Sequence, residues 1–235
     1  MLVDVVGLPL IIRVARQAML SQAQEVIVAT DHLEIMQVCQ AHQVPVVMTR
    51  AEHQSGTDRI AEVVSQLGLA DNEIIVNVQG DEPLIEPQLI NQLAEFISLK
   101  QTAIATIAHP IAAADECFNP NIVKTVLNHE ALAMYFSRAP IPYFRDSYGQ
   151  INPCLPTTLP VLRHIGIYAY QVSFLQAYSR LPVSPLEQIE SLEQLRALYY
   201  GYQIAVLTTA KAPAAGVDTQ ADLERVRDPI AAQEA

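Results

Sequence analysis

Residues 73–78 read EIIVNV and run directly into 79–83, QGDEP. Four of the first six are β-branched and apolar. The run is of strand length and stops at a glycine, two carboxylates and a proline, which is how a buried strand leaving a sheet reads. In an open α/β sheet the carboxyl edge of such a strand is where ligands bind. Working outward, residues 25–30 (EVIVAT), 45–49 (PVVMT) and 103–108 read as further buried strands. Between them, residues 9–20, 33–42, 57–67 and 87–100 place apolar side chains at helical spacing, with Pro9 suited to a first helical turn and Thr30 or Asp31 able to cap the helix after it. Strand and helix alternate, which predicts an α/β fold with a mostly parallel sheet and helices on both faces.

The second half changes character. Residues 122–127 and 131–136 flank Asn128, His129 and Glu130 and predict a hairpin. Prolines then fall at 140, 142, 153, 156 and 160, marking a long irregular segment. Residues 163–170 predict a strand, 173–180 and 185–200 two helices, 203–208 a strand and 219–227 a last helix. The expected organisation is one α/β domain over residues 1–235 with a smaller mixed lobe at about 119–170.

Composition excludes several classes. The 235 residues are 51% hydrophobic, too apolar for a disordered chain, and hold no apolar run near membrane-spanning length. A formal net charge of −11 argues against nucleic acid or an anionic membrane surface as a broad partner. Cys39, Cys117 and Cys154 are widely spaced, as expected of reduced thiols in a cytoplasmic protein, and no secretory signal is read at the N-terminus. The eight glycines make no GxG and no GxxxxGK[ST], which sets aside a dinucleotide-binding module and a P-loop ATPase; no GxSxG elbow is present either.

Four constellations carry chemistry. In VNVQGDEP (76–83) a strand delivers Gln79, Gly80, Asp81 and Glu82 to a sheet edge. A hard cation such as Mg²⁺ takes one or two carboxylates together with phosphate oxygens, which suits Asp81; the plainer reading is a turn before Pro83. In RAEHQSGTDR (50–59), Ser55, Gly56 and Thr57 open a helix whose free N–H groups suit an anion or a base edge, with Arg59 on its first turn. Simple capping by Ser55 or Thr57 accounts for the same residues. In RHIGIYAY (163–170), alternation sends His164 and Tyr168 to one face, and in PLEQIESLEQLR (185–196) Glu190, Glu193 and Gln194 make one polar stripe on a helix. A sugar site would look like this, and so would a core histidine beside a solvated helix face. In GVDT (216–219), Asp218 offers a second carboxylate, although Thr219 and Asp222 also make a capping pair. Arg138 and Lys124 are isolated cations beside apolar strands and need an acidic partner or an anionic ligand.

Taken in order, ATDH (29–32), TRAEHQSGTDR (49–59), VNVQGDEP (76–83), FNPNIVK (118–124), YFSRAPIP (135–142), LRHIGIYAY (162–170), SPLEQIESLEQLR (184–196) and GVDT (216–219) resemble the 3-deoxy-D-manno-octulosonate (Kdo) cytidylyltransferases. The resemblance runs from Leu2 to about Arg227. It implies transfer of CMP from CTP to the anomeric hydroxyl of Kdo with release of pyrophosphate, Mg²⁺ as cofactor, a homodimer formed through the smaller lobe, and a place in lipopolysaccharide biosynthesis. By the matched motifs Asp81 and Asp218 would hold the metal and be the catalytic pair. Ser55, Gly56, Arg59 and Gln79 would face the cytidine and sugar. Arg138, His164, Tyr168, Glu193 and Gln194 would grip Kdo, with Arg138 on its carboxylate. The family pattern also has an earlier strand and a glycine-and-basic loop of the form PARxxSxRLPGKPL around the CTP phosphates, which has no counterpart in residues 1–235. Smaller departures are Leu8, where lysine is more usual, and Asp58, where glutamate is commoner. Two other expectations stand beside this one: a cytidylyltransferase for another acidic sugar, and a non-catalytic paralogue or truncated product that binds sugar or dimerises.

Overall fold

The computed structural model describes residues 1–53, 55–158, 160–210, 213–214, 216–217 and 219–234. The chain opens with a small hairpin, β1 (Asp4–Val5) and β2 (Leu8–Pro9), then α1 (Leu10–Ala18), β3 (Val28–Thr30), α2 (Leu33–Ala41), β4 (Val46–Met48) and α3 (Gly56–Leu67). Next come β5 (Ile74–Asn77), α4 (Pro87–Lys100), β6 (Ile104–Pro110) and α5 (Ala114–Phe118). The hairpin β7 (Lys124–Leu127) and β8 (Ala133–Ser137) precedes β9 (Leu162–Gln171). Then follow α6 (Val172–Tyr178), α7 (Pro185–Glu190), α8 (Gln194–Tyr199), β10 (Ile204–Thr208) and α9 (Gln220–Glu234). Among the described residues no helix is long and apolar enough to cross a membrane.

The main sheet has the order β10-β6-β9-β7-β8, with β5 also on β9. Alternation along its strands divides the core between two faces. Ala105, Ile107, Ile167, Ala169 and Ala205 pack with Leu89, Leu93 and Ile97 of α4 on one face. Ile104, Tyr168, Tyr170, Ile204 and Val206 pack on the other with α6 and α8, and with Ala61 and Val64 of α3. Helices therefore cover both faces, as the strand–helix alternation predicts.

Strand direction is where the pattern falls short. β10 runs parallel to β6, and β3 parallel to β4. β9 is antiparallel to β5, β6 and β7, however, and the sheet is mixed. A helical crossover returns a strand parallel to its neighbour; β9 follows the proline-rich segment instead, which imposes no such return. β9 is also the longest strand. Its pairing with β6 runs from Leu162 to Tyr170, while its other edge is shared, β7 taking Leu162 and Arg163 and β5 taking Tyr168 to Gln171. Between those two partners, at Gly166, the sheet has a notch.

Two more expectations are adjusted. The single helix expected over 185–200 is two, because Ser191 adopts a left-handed φ of 52° between α7 and α8. The last helix reaches Glu234, past Pro229, since Ile230 is buried with Val5, Leu10 and Val226. The hairpin expectation holds: Asn128 Oδ1 accepts from Glu130 N and Leu132 N, both at 2.9 Å, and closes the turn.

Candidate active site

The notch in β9 is filled from the far strand. Asn77 lies opposite Tyr168, which sets Gln79 beside Gly166. There the Gln79 amide donates to Gly166 O at 3.1 Å. A Cβ at Gly166 would come within 2.5 Å of Gln79 Nε2, so a side chain there would displace the amide from this position. Gln79 thus fixes the departure of the turn that carries Gly80, Asp81 and Glu82. The GVDT segment comes to the same place: Val217 N donates to Asp81 O at 2.8 Å. A Cβ at Gly216 would stand 3.3 Å from both Asp81 Oδ2 and Glu82 Oε1, so the backbone there runs close against two carboxylates. Asp218, the expected second metal ligand, lies outside the described residues. The donors assembled are carboxylate and carbonyl oxygens, an oxygen set that suits a hard cation of the Mg²⁺ kind.

Across the notch stands a file of rings. His164 and Tyr168 share a face of β9, as alternation predicts, with centroids 5.3 Å apart; Tyr168 stacks on Tyr170 at 5.6 Å and Tyr170 on Phe174 at 5.8 Å. His164 also meets Phe136 edge-on, and its Nε2 lies 3.1 Å from Thr106 Oγ1. Desolvation pushes the imidazole down to about 3, leaving it neutral at physiological pH. Burial likewise pushes the Tyr168 phenol well above its ordinary value. Among the described residues Tyr168 Oη and Gln194 Nε2 are buried without a hydrogen-bond partner, and both residues line a narrow cavity shared with Thr57, Tyr170, Phe174 and Glu193. A lone buried polar group costs about 1–3 kcal/mol. Two beside one cavity of this size mark a place for a water or a single polar group of a ligand.

The expected stripe of Glu190, Glu193 and Gln194 is broken by the turn at Ser191. Glu190 ends α7 and accepts from Ser137 Oγ at 2.6 Å and Arg138 N at 2.9 Å. Glu193 instead meets the first turn of α3, accepting from Thr57 N at 3.4 Å. Burial raises its carboxyl above the usual range, while bonds from Thr57 and Ser55 act the other way.

Ser55 caps α3, accepting from Asp58 N at 3.1 Å and donating to Asp58 Oδ2 at 2.7 Å, the capping arrangement that its sequence context left open. Gly56 follows as the first residue of α3, where an added Cβ would meet nothing within 4 Å. Arg59 is committed to the fold: Nη2 donates to Asp31 Oδ2 at 2.9 Å and Nη1 to Thr49 Oγ1 at 2.5 Å, tying α3 to the ends of β3 and β4. Its guanidinium holds the Asp31 carboxyl below the usual carboxylate range. Nearby, Glu62 accepts from His53 and from Arg50 N, which holds its carboxyl down at about 2 and anchors the loop before Ser55.

Arg138, just beyond β8, directs its guanidinium only at carbonyls: Nε to Glu190 O at 2.7 Å, Nη1 to Pro120 O at 2.9 Å and Nη2 to Ser191 O at 3.3 Å. The structure therefore gathers His164, Tyr168, Glu193 and Gln194, joins Gln79 and Asp81 to them through the notch, and brings Ser55 and Gly56 in through Thr57. Sequence reasoning passes over Tyr170 and leaves Thr57 open between a cap and a ligand contact. Tyr170 stands two residues beyond Tyr168 on the same strand, so alternation holds the signal. Thr57 reads in sequence as a cap, whereas its hydroxyl lies 3.2 Å from Tyr170 Oη.

Comparison with known proteins points one way. A family model described as Cytidylyltransferase matches residues 1–204. A 3-deoxy-manno-octulosonate cytidylyltransferase of Herminiimonas arsenicoxydans is 58% identical over 226 residues, covering 96% of this chain and 90% of that protein. Its counterpart from Neisseria meningitidis serogroup C is 55% identical over 226 residues, covering 96% and 89%. Among solved structures, a CMP:2-keto-3-deoxy-manno-octonic acid synthetase complexed with CTP superimposes with a TM-score of 0.88 at 42% identity, over 99% of this chain and 91% of that one. A 4-diphosphocytidyl-2C-methyl-D-erythritol synthase gives a TM-score of 0.63 at 13% identity over 97% and 93%, a likeness of fold alone.

Proposed function

The chain belongs to the 3-deoxy-manno-octulosonate cytidylyltransferase family, and from that premise we propose that it transfers CMP from CTP to the anomeric hydroxyl of Kdo, releasing pyrophosphate. The observation that supports the reading is a pair of buried polar atoms without a hydrogen-bond partner among the described residues, Tyr168 Oη on β9 and Gln194 Nε2 on α8, with Gly166 of the same β9 holding Gln79 just before the Asp81 turn.

The chain's own residues have mainly positional and electrostatic work, because in-line attack at phosphorus asks little covalent chemistry of a protein. Tyr168 and Gln194 offer their unpartnered atoms to sugar hydroxyls. His164, neutral, presents an uncharged ring beside them and gives no proton away at physiological pH. Arg138 takes the sugar carboxylate with the guanidinium N–H groups its carbonyl partners leave over. Gln79 orients the turn, and Ser55 and Gly56 face the cytidine at the start of α3. Asp81, with Asp218 from outside the described residues, would hold Mg²⁺, which when bound neutralises charge on the phosphates. Supporting that role is the crowding of Gly216 against the Asp81 and Glu82 carboxylate oxygens.

The working form is a cytoplasmic homodimer that supplies an activated sugar to lipopolysaccharide biosynthesis. Support for the dimer comes from the smaller lobe, where β8 is an outer strand and Met134, Tyr143 and Ile151 are exposed. The test is pyrophosphate release with CTP and Mg²⁺ from Kdo, from an 8-amino Kdo and from sialic acid. Release with Kdo that stops on chelation of Mg²⁺ is expected. Release with another acidic sugar and none with Kdo would overturn the substrate assignment.

A further inference from the structure

Lys124 stands apart from the cavity and the Asp81 turn, yet it is a cation sealed inside the protein. It lies in β7 and its side chain is entirely buried, at 0% exposure. An ammonium removed from water is costly unless partners replace its hydration. Here the three donors of Nζ are all taken by backbone carbonyls, Asn119 O at 3.0 Å, Ile122 O at 2.6 Å and Arg138 O at 2.5 Å. Among the described residues none of its hydrogen bonds goes to a carboxylate. An apolar side chain of the same length would avoid burying a charge and would leave these carbonyls short of a donor; burial by itself does not account for a cation at this position.

The choice of carbonyls does. Asn119 and Ile122 bracket Pro120, whose own carbonyl accepts from Arg138 Nη1 at 2.9 Å. The third carbonyl belongs to Arg138 itself. Lys124 therefore grips both the main chain at Arg138 and the loop that holds one arm of its guanidinium. Glu190 and Ser191 grip the other arm. Of five guanidinium N–H donors, three are used in this cradle and the rest remain for a ligand.

We propose that Lys124 is a positioning residue for the acidic sugar, acting through Arg138: it sets the direction in which the remaining guanidinium N–H groups meet the sugar carboxylate. The proposal rests on Arg138 being the group that takes that carboxylate. It makes Lys124 a determinant of sugar affinity that never touches the sugar.

The test is a double-mutant cycle on the full chain, read by titration calorimetry with Kdo and, separately, with CTP and Mg²⁺. Lys124→Met should weaken Kdo binding about 10-fold and leave CTP binding within about twofold. Arg138→Ala should weaken Kdo about 100-fold. The double variant should match Arg138→Ala alone, because a residue that acts through another adds nothing once that other is gone. Should Lys124→Met fail to fold, Lys124→Gln keeps two donors for the carbonyls and should show a smaller loss for Kdo. A folded Lys124 variant with wild-type Kdo affinity, losses that add in the double variant, or Kdo and CTP affinity falling in step would each overturn the proposal. So would failure of both Lys124 variants to fold, which would make the residue purely structural. Unchanged Kdo binding in Arg138→Ala would instead overturn the reading of Arg138.

Discussion

Arg59 and Arg138 both carry an expectation of facing substrate, and the structure treats them differently. On the nucleotide side, Arg59 is paired with a carboxylate, Asp31, at 2.9 Å. On the sugar side, the guanidinium of Arg138 meets only carbonyl oxygens, while the nearby Glu190 carboxylate is occupied by Ser137 and by the Arg138 backbone N–H. A guanidinium neutralised by aspartate has little field left for an anion, whereas carbonyl dipoles orient a guanidinium and leave its charge in place. Arg59 is thus a tie between α3 and two strand ends, and Arg138 is a guanidinium held by carbonyls with its charge left in place. The same contrast runs through the rest of the site. The nucleotide side is made of turns and capped helix ends, in which Ser55 and Gln79 already have partners. The side expected to take the sugar is made of strand and helix side chains, two of which keep polar atoms without a partner among the described residues.

The largest expected effect lies where the two sides meet. Asp81→Asn keeps the size of the side chain and the backbone bond from Val217, and removes the charge. It should lower Mg²⁺-dependent pyrophosphate release by about 10²–10³-fold, with the melting temperature little changed. Near-normal turnover would remove the metal role from Asp81 and leave the turn as a structural feature only.

A smaller effect tests the sugar side directly. Tyr168→Phe deletes a hydroxyl that makes no well-formed hydrogen bond among the described residues, Thr106 being a close polar neighbour. If the hydroxyl serves the ligand, the KM for Kdo should rise about 10-fold while the KM for CTP stays put. The fold should be no less stable, since an unsatisfied buried hydroxyl disfavours the native state by about 1–3 kcal/mol. Lost stability with an unchanged KM would reverse the comparison, making Tyr168 a core residue and the cavity incidental.

Much of this is legible in the residues, though unevenly. The helix over Pro87–Lys100 coincides at both ends with its expectation, because Pro87 suits the first turn and Gln101 breaks the helix with a left-handed φ of 52°. The expectation at Asp81 comes from the rule that ligands gather at the carboxyl edge of strands, and the structure places Asp81 in the turn just beyond β5. The break at Ser191 is not, because serine carries no preference for positive φ; it is held there by contacts across the fold, with Glu190 and Ser191 both bound to Arg138. The direction of β9 is hidden for the same reason, being set by pairing rather than by its own residues. His164 reads equally as a core histidine and as a ligand; the structure shows it half-buried and uncharged, on the same face of β9 as Tyr168. The hairpin β1–β2 has strands of two residues each, too short for any period to show. Most roles on the sugar side come from the resemblance; spacing alone leaves them open.

The smallest effect separates the two sides by pH. His164 belongs to the sugar side, and burial holds its folded imidazole at about 3, below its ordinary 6.5. Below pH 6.5 the unfolded chain gains a proton that the folded chain refuses. His164 therefore contributes its full stability above about pH 6.5, loses it as pH falls, and adds no further loss below about 3. Glu62 belongs to the nucleotide side, and its bond with His53 holds its carboxyl at about 2, below 4.5. Its contribution is complete above pH 4.5 and is lost as pH falls towards 2. The two windows overlap only below 4.5, so the interval from 6.5 to 4.5 isolates His164 from Glu62. Melting temperatures of His164→Asn should therefore fall less steeply than those of the parent in that interval. Glu62→Gln should change the curve only below 4.5. Parallel curves for His164→Asn and the parent from 6.5 to 4.5 would mean that the imidazole takes up its proton inside the fold. The sugar side would then carry a charge that its packing against Phe136 and Tyr168 gives no room to solvate.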